Sequence, residues 1–119
     1  MVLGDGSMEL GHPLVVTYSE EGAWGVLGAS GELDVVTASK LSSGLSVATR
    51  GMGVIVDMTD VTFVDSTGLG VLIGLQRRVK AEGAGFRLVV SSPHILRVLD
   101  ITGLNEVFSV FETLSAARD

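Results

Sequence analysis

Val54-Ile55-Val56-Asp57-Met58 is the stretch that most limits what this chain can fold into. Its first three residues are β-branched, and apolar side chains follow one another without the polar alternation of a half-exposed strand. A run of that kind suits a strand buried on both faces. Such strands belong to sheets with parallel pairs, because the helices that return the chain cover the faces.

The segments around it agree. Leu14 to Tyr18 is a short β-type run, Ser19 to Gly22 a turn, and Trp24 to Leu27 a second strand, so the chain opens on a hairpin. Thr37 offers an N-cap, and Ala38, Leu41, Leu45 and Ala48 recur at helical spacing until Gly51-Met52-Gly53. After Val54–Met58 and Thr59-Asp60, Val61 to Val64 leads into Asp65-Ser66-Thr67-Gly68. Leu69, Leu72, Ile73, Gln76 and Val79 then mark an amphipathic helix whose basic residues cluster late, where the helix dipole favours cations. Phe86 to Val90 is the next strand. Ser92-Pro93 opens a helix that Gly103 closes. Val107 to Phe111 is a last strand and Glu112 to Arg118 a terminal helix. The order β-β-α-β-α-β-α-β-α predicts one α/β domain over residues 13–119, with a mixed sheet, a parallel core and about four covering helices. Residues 1–12 hold three glycines and little periodicity. They read as a flexible arm, with Met8 as an alternative start.

Composition narrows the function. With 119 residues, 46% apolar and 18% charged, the chain has enough material for a core of its own. It has no cysteine, which removes disulfides, thiolate nucleophiles and cysteine metal sites. A net charge of -6 argues against nucleic acid as a partner and favours a basic patch on another protein. No apolar run nears the roughly 20 residues that span a bilayer, and the N-terminus lacks a signal-peptide pattern. A cytoplasmic protein is the expectation.

Sites in open α/β sheets gather where strands hand over to helices. Three junctions qualify: Gly31 to Asp34, Asp57 to Asp60, and Asp65 to Gly70. At the third, Ser66 admits two readings of one geometry. As an N-cap, its hydroxyl accepts a hydrogen bond from a first-turn amide, worth about 1 kcal/mol. As a phosphoacceptor, it places an anion where a helix N-terminus offers free amides and positive potential. Gly68 and Gly70 leave room for a bulky group or a partner. Asp65 and Asp34 read either as caps or as groups that position the hydroxyl and meet the partner. Catalysis is poorly supported. His12 and His94 are the only histidines, and Val64-Asp65-Ser66-Thr67-Gly68 lacks the first glycine of a nucleophile elbow. Gly68-Leu69-Gly70 is followed by Ile73 where a dinucleotide fingerprint needs glycine, and no Walker lysine is present. No metal-ligand cluster stands out, and Asp57 and Asp60 read as structural or surface acids.

Three blocks carry a family resemblance. Gly31-Glu32-Leu33-Asp34 with Thr37-Ala38 and Leu41 resembles the first signature of STAS domains. Phe63 to Gly70 is similar to the phosphorylation loop of bacterial anti-sigma factor antagonists, and Ser92-Pro93, Arg97, Leu99 and Gly103-Leu104 resemble the third block. They occur in the family's order over roughly residues 14 to 115. The resemblance implies a STAS fold and a partner switch. The unphosphorylated domain binds an anti-sigma factor, a serine kinase of the GHKL type, and thereby releases a sigma factor. Phosphorylation of Ser66 inactivates it, and a PPM-type serine phosphatase restores it. The domain is then a kinase substrate and binding module rather than an enzyme, without cofactor or metal. Asp34, Asp65, Ser66, Thr67, Gly68, Leu69 and Gly70 are the expected partner-binding residues. Thr67 stands where many antagonists have a second serine and competes as acceptor. The alternatives are a STAS module of a stress-signalling complex or of a lipid or anion transporter, and an enzyme with Ser66 as nucleophile.

Overall fold

A computed structural model describes residues 14–48 and 51–119, with the side chains of 46–48 left aside. The arm expected at 1–12 and the apolar contact expected of Ala48 lie outside what is described. Five strands form one sheet in the order β1-β2-β3-β4-β5: Val15–Glu21, Trp24–Leu33, Gly53–Val64, Gly85–Val89 and Ser109–Phe111. β1 and β2 form an antiparallel hairpin, and all later pairs are parallel. The α-helices α1 (Ala38–Ala48), α2 (Ser66–Ala81) and α3 (Pro93–Thr102) connect the parallel strands, and α4 (Leu114–Arg118) ends the chain.

Right-handed crossovers between strands that follow one another in the sheet place every connecting helix on the same face. The core shows this. Val54, Val56 and Met58 point to one side of β3, where they meet Leu41 and Leu45 of α1, Leu72, Leu75 and Val79 of α2, and Ile95 and Leu99 of α3. Ile55 points the other way and packs with Trp24, Val26, Val89 and Ala117 of α4. The Val54–Met58 run is thus buried on both faces, as its composition demands. The guanidinium of Arg87 lies over Trp24 at 4.5 Å and beside Phe111 at 5.4 Å, and donates to the carbonyl of Ala117. α4 is held to the sheet by this stacked cation and by a surface ion pair from Arg118 to Glu21.

Several boundaries differ from the sequence reading. β2 runs on to Leu33 and β3 to Val64, through shifts of register at Gly28/Ser30 and Gly31/Glu32. These shifts let Glu32 and Leu33 pair with Phe63 and Val64, so both strands end together beside the start of α2. The last strand is shorter than expected, because Leu104–Glu106 forms a 3-10 turn before it. Thr37 does not spend its hydroxyl on the first turn of α1. It donates to the Glu32 carbonyl at 2.6 Å and accepts from the Asp34 amide at 3.0 Å. The α3 signals act as read: Ser92 accepts from the Ile95 amide, Pro93 opens the helix, and Gly103 closes it at φ 76°. Among the described residues, no helix is long and apolar enough to cross a membrane.

Candidate functional site

The strand ends and the start of α2 meet through one side chain, Asp65. Its backbone is extended (φ -100°, ψ -177°), and its Oδ1 accepts the Gly68 amide at 2.8 Å. This is an N-cap, so the cap is Asp65 and not Ser66 as one reading of the sequence had it. The other oxygen, Oδ2, accepts the amide of Val35 at 3.2 Å, thirty residues back in the turn after β2. The Asp65 amide itself donates to the Leu33 carbonyl at 3.2 Å. Two junctions that are remote in sequence are therefore joined at both the backbone and the carboxylate of one residue.

Asp34 organises the facing turn. Its Oδ1 accepts from the amides of Val36 and Thr37, each at 3.0 Å, and from the Thr37 hydroxyl at 3.1 Å. Its carbonyl accepts from the amides of Thr37 and Ala38, which starts α1. The Thr37 amide, followed by the Thr37 hydroxyl and the Val36 amide, stabilises the carboxylate against a smaller opposing cost of desolvation. The Asp34 carboxyl is accordingly held below the ordinary carboxylate range.

Ser66 is the first residue of α2 and is exposed, as is Thr67 after it. Because Asp65 supplies the cap, the Ser66 hydroxyl has no hydrogen bond to another described residue and is available to a reagent. It stands at the positive end of a 16-residue helix. The two glycines differ from expectation and from each other. Gly68 is buried, and a Cβ there would lie 2.5 Å from the Leu33 carbonyl oxygen and 2.9 Å from Leu33 Cγ. It gives no access to a partner; its role is to let α2 approach β2. Gly70 is exposed with open space around it, so it leaves the room expected of both. Leu69 is half-buried against the core. Asp34, Asp65, Ser66, Thr67 and Gly70 thus share one surface, with Gly68 beneath it. Two neighbours were not foreseen: Val35 and Val36, whose amides are held by Asp65 and Asp34 and which are 69% and 81% exposed. Val35-Val36 falls outside the apolar stripe of α1, and that was the available signal.

Two outcomes follow from this geometry. Gly→Ala inside a helix ordinarily gains about 0.5–1 kcal/mol. In urea unfolding, Gly70→Ala is expected to be neutral or stabilising, whereas Gly68→Ala loses stability by about 1–3 kcal/mol because backbone must move. The second concerns acid. Asp34 has a depressed carboxyl pKa in the folded state, so its contribution is complete above the unfolded value of about 3.9 and is lost as pH falls through the folded one. The gap in melting temperature between wild type and Asp34→Ala, measured against pH, should be widest near neutrality and narrow below pH of about 4.

Comparison with known proteins agrees with this arrangement. The model of the STAS domain family matches residues 15–117. The anti-sigma-B factor antagonist of Bacillus subtilis is 37% identical over 82 residues, covering 68% of this chain and 75% of that protein. The crystal structure of an anti-sigma factor antagonist from Mycobacterium paratuberculosis superposes with a TM-score of 0.76 at 28% identity, covering 89% of this chain and 95% of that one. SpoIIAA, a Bacillus cell fate determinant solved in its phosphorylated form, shares the fold with a TM-score of 0.63 at 22% identity, covering 86% of this chain and 96% of that one. With its three sequence blocks in order, its helices on one face of the sheet and this match over nearly the whole described chain, the protein belongs to the STAS domain family.

Proposed function

We infer that this STAS domain is an anti-sigma factor antagonist whose binding surface is switched by phosphorylation of Ser66. The observation that carries the reading is the identity of the cap. With Asp65 capping α2, Ser66 presents an exposed hydroxyl at the helix N-terminus. The named antagonists among its relatives, and a same-fold protein solved in its phosphorylated form, support the same reading.

The physical consequence of phosphorylation is large for so small a site. A phosphoserine carries about -1.5 to -2 charges at neutral pH. The amides and dipole at the start of α2 accommodate that charge within the domain. A docked partner would meet it next to Asp65 and Asp34, where repulsion and desolvation oppose binding. The domain therefore keeps its fold while losing its partner. The partner is an anti-sigma factor that acts as a serine kinase of the GHKL type and supplies ATP chemistry from its own site. A PPM-type phosphatase reverses the reaction. The chain provides an acceptor hydroxyl and a surface, and needs no cofactor or metal for either. Asp34, Asp65, Thr67, Leu69 and Gly70 frame the acceptor on the partner-facing side, and Gly68 sets their depth. The setting is cytoplasmic.

The test is intact-mass analysis with peptide mapping after incubation with ATP and the anti-sigma kinases of the same genome. Wild type and Thr67→Val are expected to gain one phosphate, on Ser66, and Ser66→Ala none. Full phosphorylation of Ser66→Ala would overturn the assignment of the acceptor.

A further inference from the structure

Five residues make α4, well under the roughly 12–15 at which an isolated helix becomes marginal in water, so its helical form depends on docking. Ala117 is its one buried side chain. It is seated with Trp24, Val26, Ile55 and Val89 on the sheet face away from α1–α3, and Leu114 and Phe111 pack against them. α1, α2 and α3 each cross between paired strands, so none can lift without disturbing the order of the sheet. α4 follows β5 through Glu112-Thr113 and carries no such load.

Its polar ties to the sheet are few. Arg118 meets Glu21 at 2.9 Å in an ion pair open to water, a kind of contact that contributes little. The inner tie is Arg87. Its guanidinium donates to the Ala117 carbonyl and lies 4.5 Å from the Trp24 ring centre and 5.4 Å from that of Phe111. No carboxylate pairs with it among the described residues. Docking also carries a cost at the same place. Trp24 is 3% exposed, and its Nε1–H meets no acceptor among the described residues. A buried donor without a partner is less stable than one that meets water. Lifting α4 would hydrate this donor and the Arg87 guanidinium and would free the ordered residues of the helix, against re-exposure of one apolar strip. Opposing terms of this kind set up a local opening well below global unfolding.

We propose that α4 is a strap latched by Arg87, which opens as one unit about Glu112-Thr113 while the sheet and α1–α3 stay folded, and so uncovers the apolar strip of Trp24, Ile55, Val89 and Phe111. The latch is a single cation held by one carbonyl and two ring faces. Because α4 is helical only when docked, its melting and its release are one event. α2, which carries Ser66, packs on the other face of the sheet, so the strap works independently of the acceptor hydroxyl and of the antagonist reading.

Trp24 is the one tryptophan of the chain, so its indole N–H gives a single NMR signal that reports the opening. The experiment follows native-state hydrogen exchange of that proton, of the Ala116 and Ala117 amides and of the Val54–Val56 amides in the full chain. The proteins are wild type, Arg87→Met, Glu21→Gln and Leu72→Val. In wild type, Trp24 Nε1–H and the α4 amides are expected to exchange at least about a hundredfold faster than β3, after correction for intrinsic rates. Arg87→Met keeps the apolar stem and removes the donor and the charge, so the α4 and Trp24 rates should rise about tenfold. Glu21→Gln should stay within about twofold. Leu72→Val thins the core on the other face. It should speed exchange in β3 about fivefold and leave α4 and Trp24 within about twofold, since the open form keeps that core. Equal protection of α4, Trp24 and β3 in wild type would overturn the strap. So would a parallel rise at all three in Leu72→Val, because α4 would then open only with the whole domain. Unchanged α4 exchange in Arg87→Met, or a larger effect from Glu21→Gln, would take the latch from Arg87 and overturn the proposal as well.

Discussion

The carboxylate of Asp65 is the constraint on which the rest of the site depends. One oxygen closes the first turn of α2 through the Gly68 amide, and the other reaches the Val35 amide in the turn after β2. Hydrogen bonds to a charged acceptor are stronger than neutral ones, and here the two anchor different elements with a single group. The arrangement works only because α2 can approach β2 closely, which the missing side chain of Gly68 permits. It also works only because β2 and β3 end side by side, which the register shifts along β2 bring about. Removing any of these parts would loosen the tie between the start of α2, the end of β2 and the turn that follows it.

A division between rigid and presented parts follows. Three helices on one face, with α4 clamped by Arg87 on the other, bury the sheet from both sides. The upper ends of the central strands then carry a polar, acidic surface whose backbone is pinned by Asp34 and Asp65. On that surface the hydroxyl of Ser66 and the side chains of Val35 and Val36 are free of structural duties. Under the proposed switch, a charge added there would change what the surface can dock against without asking the core to move.

Much of this architecture is legible in the sequence because its signals are local. The β-branched run at Val54, the Ser92-Pro93 start and the Gly103 stop each act through neighbours within a few residues, and each reads correctly. The parts that do not read locally depend on partners across the sheet. Continuation of β2 beyond Leu27 is decided by pairing with β1 as far as Ser30 and with β3 as far as Leu33, and nothing within Gly28 to Leu33 announces it. The choice of Asp65 over Ser66 as cap is of the same kind. Both are good capping residues, and the Val35 amide thirty residues away helps to place Asp65. Gly68 and Gly70 look alike in sequence, yet only one has a carbonyl behind it. The valines beside Asp34 carry no chemistry that a motif search seeks, so only their exposure brings them forward.

The central claim is that phosphate on Ser66 empties the binding surface while leaving the fold intact. It is tested most directly by titrating one anti-sigma factor with the unphosphorylated and the homogeneously phosphorylated protein by calorimetry, alongside thermal melts of both forms. The account predicts tight binding by the unphosphorylated form, at least about a hundredfold weaker binding by the phosphorylated one, the equivalent of some 2.7 kcal/mol, and closely similar melts. Equal affinities for the two forms would contradict it.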